Sequence, residues 1–151
     1  MSDRPTNVAR RHDWPERLDA YLAQTSAQAF AWGVNDCALF ACAAIEAMTG
    51  VDPAAELRGR YNTRAGALRV LRTEGGGLDV VAGNLAAQHG FEEIKPALAQ
   101  RGDLVLLDTE DGPALAIVGH DGMNAVCAGP QGMTRVPVLS CRRAWAVGRA
   151  A

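Results

Sequence analysis

The chain has 151 residues, with 15 Lys and Arg against 17 Asp and Glu, a formal net charge of −2. That length suits one domain with its own core, and the balance of charge excludes a broad basic surface for nucleic acid. Nothing approaches the ~20 apolar residues of a membrane span. The polar N-terminus lacks a signal-peptide core, so synthesis in the cytoplasm without membrane insertion is expected.

Residues 1–12 are polar, carry Pro5 and Arg10-Arg11, and read as a flexible N-terminal arm, with residues 13–151 forming a single domain. Trp14-Pro15-Glu16-Arg17 opens a helix, because proline suits the first helical position, and Leu18, Tyr21 and Leu22 make its apolar face. Trp32-Gly33-Val34-Asn35-Asp36-Cys37 then leads from a loop into an apolar helix, Cys37 to Met48. Asn35 or Asp36 can cap that helix and Gly50 can close it. Asp52-Pro53 predicts a short helix, and Thr63 caps another that runs through Leu71. Gly75-Gly76-Gly77 breaks the chain, and Leu78 to His89 reads as a further helix.

From Phe91 the period changes. Phe91 to Ile94 forms a first strand, and Leu104 to Leu107 is an apolar run bounded by turn residues. Ala114 to Val118 follows, then a hairpin turn over Gly119-His120-Asp121-Gly122 and a return strand, Ala125 to Ala128. Thr134 to Val138 and Ala144 to Val147 complete an antiparallel meander. Helices first and hairpins after give an α+β domain, with N-terminal helices packed on one face of a C-terminal sheet. The chain has no internal repeat and no low-complexity tract.

Cys37 is the candidate nucleophile. In the first turn of a helix, free N–H groups and the positive end of the macrodipole favour a thiolate, which is the reactive form. Partly exposed there, it should alkylate near neutral pH faster than Cys42, Cys127 or Cys141. The competing reading is a small apolar core residue, which suits Cys42 well, since Leu39, Phe40, Ala43 and Ile45 make the helix apolar nearly all round. Cys37 and Cys42 point about 140° apart on a helix and cannot share an ion. Cys127 and Cys141 have no metal-ligand spacing, so neither a metal nor any other cofactor is expected, and buried thiols are the default over a disulfide.

Asp36-Cys37 opening a helix, followed by Gly102-Asp103-Leu104-Val105 opening a strand, resembles the NlpC family of cell-wall peptidases. The resemblance spans about Phe30 to Val147. It is closer to a phage and prophage branch, in which the Trp-Gly-x-x-Asp-Cys start is joined by a motif like Gly59-Arg60-Tyr61 and a late Ala144-Trp145. It implies a papain-like (NlpC-type) fold and a cysteine hydrolase acting on peptidoglycan stem peptides. It also implies a place in the virion among other tail-tip proteins.

One departure stands against activity. In the active family the second core strand begins His-Val-Gly-Ile and that histidine is the general base, whereas this chain reads Ala114-Leu115-Ala116-Ile117. Ala114 is therefore expected to face Cys37 across a small apolar gap. Three histidines remain as candidate bases. His120 lies in the hairpin turn, roughly 20 Å further along. His89 ends a helix, where the C-terminal dipole favours it, and His12 sits in the arm. The favoured reading is a structural tail-tip or baseplate subunit in which Asp36 serves as helix cap and Cys37 as packing. The alternatives are an active tail-associated peptidase, with His120 or His89 brought in by a loop, and a bacterial amidase acting on small intracellular amides.

Overall fold

The computed structural model describes residues 7–151. Its elements follow the expected order: helices α1 (Trp14–Thr25), α2 (Cys37–Thr49), α3 (Arg64–Glu74) and α4 (Leu78–Gln88), then six strands. These are β1 (Glu92–Ile94), β2 (Leu104–Thr109), β3 (Gly112–Val118), β4 (Asn124–Gly129), β5 (Gly132–Pro137) and β6 (Arg143–Ala146). Short 3-10 turns lie at Pro96–Leu98 and Val138–Ser140. The class is α+β, with one antiparallel sheet.

The helix ends follow local chemistry. Asp36 caps α2 through its side chain, and Gly50 ends it at φ 85°, a left-handed turn that a side chain would strain. Thr63 caps α3 by accepting from Gly66 N at 3.0 Å. The predicted helix after Asp52-Pro53 does not form. The Asp52 carboxylate accepts Ala54 N at 2.9 Å and the Arg58 guanidinium, and these local bonds hold the segment as consecutive turns.

Period-two alternation gives the sheet two apolar faces. Leu104, Leu106, Leu115, Ile117 and Trp145 meet Ala41, Ala44, Ile45 and Met48 of α2, with Leu18 of α1 behind them. Helix α2 therefore packs centrally against β3 and β4, as its buried faces demand. Val105, Leu107, Ala116, Val118, Ala125 and Ala144 form the opposite face, with Cys127, Val138 and Cys141.

The strand order β1-β6-β2-β3-β4-β5 corrects the expected meander. Strands β2 to β5 are successive hairpins, but β6 inserts between β1 and β2, pairing Ala144 with both Ile94 and Val105. Ala144, Trp145 and Ala146 are all buried. A strand apolar on both faces needs neighbours on both edges, and an outer position would leave it exposed.

The expected flexible arm over residues 1–12 is also corrected in part. Residues 1–6 lie outside the described residues, but 7–12 are docked. Val8 N donates to His89 O, Arg10 N to Gly148 O, and Arg11 N to Met48 O at 2.8 Å. The Arg10 guanidinium reaches Val147 O at 2.6 Å and Asp103 Oδ1 at 2.9 Å while lying over the Trp14 ring. Asp103 is fully buried, and a buried carboxylate must be paired, which fixes this segment on the domain.

Candidate active site

The loop before Cys37 is a knot whose parts lie far apart in sequence. Gly33 has φ 79°, and a Cβ there would meet the Tyr61 carbonyl oxygen at 2.2 Å, so only glycine lets the two backbones approach. Asn35 is buried, and its amide donates to the carbonyls of Gln28 and Ala29 at 3.2 and 3.0 Å. Of the two possible caps, Asp36 is the one used. Its Oδ1 accepts Leu39 N at 2.9 Å, while Oδ2 accepts Gly33 N at 3.0 Å and the Tyr61 hydroxyl at 2.7 Å. Burial and this bond to a carboxylate hold the Tyr61 phenol well above its ordinary range. The Trp-Gly-x-x-Asp and Gly-Arg-Tyr segments thus meet at one carboxylate, a contact sequence reading missed. Its only signal was an acidic cap and a tyrosine in two otherwise unexplained motifs.

Cys37 stands where expected, in the first turn of α2, half-buried and facing β3. Its chemistry is not the expected one. Burial pushes the thiol up to about 11, with the adjacent Asp36 charge adding to the rise. The backbone N–H groups of Leu115 and Ala38 pull the other way and lose. Helix-terminus stabilisation amounts to about a kilocalorie per mole, whereas desolvating an anion costs several. At pH 7 only about one molecule in ten thousand carries the thiolate.

This sets the labelling behaviour. Iodoacetamide is expected to modify native Cys37 slowly at pH 7 and about tenfold faster per unit of pH toward its pKa. Cys37 should still react before Cys42, which is fully buried and pushed up to about 12. Peptide mapping after timed labelling between pH 7 and 10 tests both statements. A pH-independent rapid reaction at Cys37 would contradict them.

The cavity beside the sulfur has a volume of about 200 Å³ and runs between α2, α3, α4 and β3. Leu39, Leu57, Val70, Leu71, Val81 and Leu115 supply apolar wall, and Trp32, Tyr61, Arg64, Asp111 and Pro113 lie around it. No histidine lines it. His89 ends α4, with Nδ1 at 2.7 Å from the Leu85 carbonyl and its ring 5.9 Å from Phe91. It lines a different depression, with Asp52, Glu56, Glu74 and Gln88. His120 is exposed in the β3–β4 turn, and His12 is exposed just before α1.

The expectation for Ala114 fails by one residue. Ala114 pairs with Leu107 and belongs to the opposite face of the sheet, while Leu115 and Pro113 share the cavity wall with Cys37. Strand β3 begins at Gly112, and a one-residue shift moves every side chain to the other face. Where a gap for an imidazole was expected, leucine and proline stand on the cavity wall instead. Cys127 and Cys141 are buried on the far face, and all four cysteines are free. Among the described residues no three of His, Cys, Asp and Glu come together as metal ligands.

Residues 9–147 match the profile of a domain of unknown function, DUF6950. The chain belongs to this family. No curated protein matches it. The DUF6950 match takes in the whole knot around Asp36, all four helices and all six strands. It also covers Arg10 and Asp103, so the ion pair that docks the segment before α1 lies inside the family's unit.

Proposed function

We propose that this chain has an NlpC-like, papain-like fold without cysteine-hydrolase chemistry, and that it serves as a structural subunit of a phage tail tip or baseplate. The observation that carries this reading is the Cys37 thiol, held up at about 11 in a wall where leucine and proline stand and no imidazole does. A cysteine nucleophile needs a base within hydrogen-bond reach or a cation that holds the thiolate. Asp36, the nearest charge, is negative and already engaged with three donors. A helix that begins at cysteine and packs on an antiparallel sheet supports the papain-like assignment. The tail-tip assignment rests on the motif resemblance to phage and prophage members of that superfamily.

The purified protein is expected to release no product from peptidoglycan-derived muropeptides, read by chromatography and mass spectrometry. Particles carrying Cys37→Ala should assemble as the wild type does. Muropeptide cleavage that disappears in Cys37→Ala would overturn the structural reading in favour of an active tail-associated peptidase.

A further inference from the structure

The cavity beside Cys37 is unusual for a protein interior, where voids larger than a water molecule are few. Its wall is mostly aliphatic, and the two strongest polar groups deep in it, Asp36 and Tyr61, are already engaged. Both Asp36 oxygens are taken and the Tyr61 proton is donated to one of them. Away from the rim such a wall offers few free donors or acceptors to ordered water or to a polar peptide. It suits hydrocarbon. A dry apolar cavity of ~150 Å³ accepts benzene, a ligand of six carbons, so one of about 200 Å³ has room for a chain of about eight.

The rim supplies the other half of the ligand. Arg64, Leu68, Asp111 and Pro113 are exposed members of the lining and mark the mouth. Arg64, the first residue of α3, donates one N–H to the Asp111 carbonyl at 3.2 Å. Among the described residues it has no carboxylate within ion-pairing distance. Its remaining N–H groups are free for an anion, and the Asp111 carboxylate is the opposing charge at the rim. We propose that this cavity binds a medium-chain carboxylate, its chain among the side chains of α2, α3 and α4 and its head group on Arg64. The binding is non-covalent and does not rest on the tail-tip reading or on any turnover at Cys37.

Calorimetric titration of the full chain with sodium octanoate tests this, with acetate as a head-group control and octan-1-ol as a chain control. Octanoate should bind saturably at one site, acetate should not bind, and octanol should bind about tenfold more weakly, as expected for one lost charge-assisted contact. Arg64→Ala should weaken octanoate about tenfold with an unchanged thermal midpoint. Ala67→Phe, placed on the cavity wall, should abolish binding. In the wild-type protein, octanoate should also slow alkylation of Cys37 at pH 9, a readout that needs no variant. Absence of saturable binding at millimolar octanoate, octanol binding as tightly as octanoate, or unchanged labelling of Cys37 in saturated protein would each overturn the proposal.

Discussion

Asp103→Ala is expected to lower the stability of the domain by about 3–5 kcal/mol, the cost of breaking a buried ion pair from one side. For a chain of this size that corresponds to a thermal midpoint lower by about 6–20 °C. Asp103 is fully buried and accepts from Arg10 Nη2 at 2.9 Å, Arg149 Nη2 at 2.6 Å, Gln100 N at 2.8 Å and Val147 N at 3.1 Å. It therefore ties the segment before α1 and the segment after β6 to the start of β2. Alanine would leave two backbone N–H groups unpaired and deprive the guanidinium groups of Arg10 and Arg149 of their carboxylate in a water-poor setting. Burial already lowers the Arg10 pKa, and Asp103 is the charge that opposes this.

The two arginines should not be equivalent. The Arg10 side chain is 8% exposed and that of Arg149 is 18% exposed. Arg10 also bonds two backbone carbonyls and lies 4.2 Å from the centroid of the Trp14 ring. Arg10→Ala should accordingly cost more than Arg149→Ala. Urea melts followed by circular dichroism at pH 7 give all three values. An Asp103→Ala midpoint close to the wild type would show that the ion pairs only decorate a core that is stable without them.

The parts of the fold legible in the sequence are those set by neighbours in the chain. Asp36 and Gly50 bracket α2, Thr63 starts α3, and the Asp-Gly turn at residues 121–122 lies between β3 and β4. Each of these is a local hydrogen bond or a backbone preference. The position of β6 was not legible, because it depends on which strand edges remain free after the hairpins have formed. Asp52 misled for a related reason. Asp-Pro is a sound helix start, but the Asp52 carboxylate is held by Arg58, six residues on, whose guanidinium also reaches the Leu39 carbonyl, and the backbone between them stays in turns.

At the site, the location of Cys37 was legible and its chemistry was not. A helix start can be read from residues 36 and 37, but the depth of the sulfur depends on β3, about eighty residues away in the chain. The same distance effect hid the partner of Asp36. A cap of this kind is predicted to bond its own helix, and it does so through Leu39, yet its second oxygen serves Tyr61 and Gly33. Gly102-Asp103 read as a turn into a strand, and the two arginines that it holds come from opposite ends of the chain.

The same carboxylate at Asp36 sets the second large expectation. Asp36→Ala should cost about 2–4 kcal/mol, combining a lost N-cap of about 1 kcal/mol with the penalty for leaving the Tyr61 hydroxyl and Gly33 N–H unpaired. Tyr61→Phe removes only one of these bonds and should cost about 1 kcal/mol. The double variant should then cost less than the sum of the two single changes, since they share one contact. Asp36→Asn separates charge from structure, because asparagine is also a good cap. It should retain much of the stability while removing the negative neighbour that helps to raise the Cys37 thiol. Cys37 in Asp36→Asn should therefore be alkylated faster than in the wild type at the same pH. If labelling is unchanged while the fold is retained, the Asp36 charge contributes nothing at the sulfur and burial alone sets its pKa.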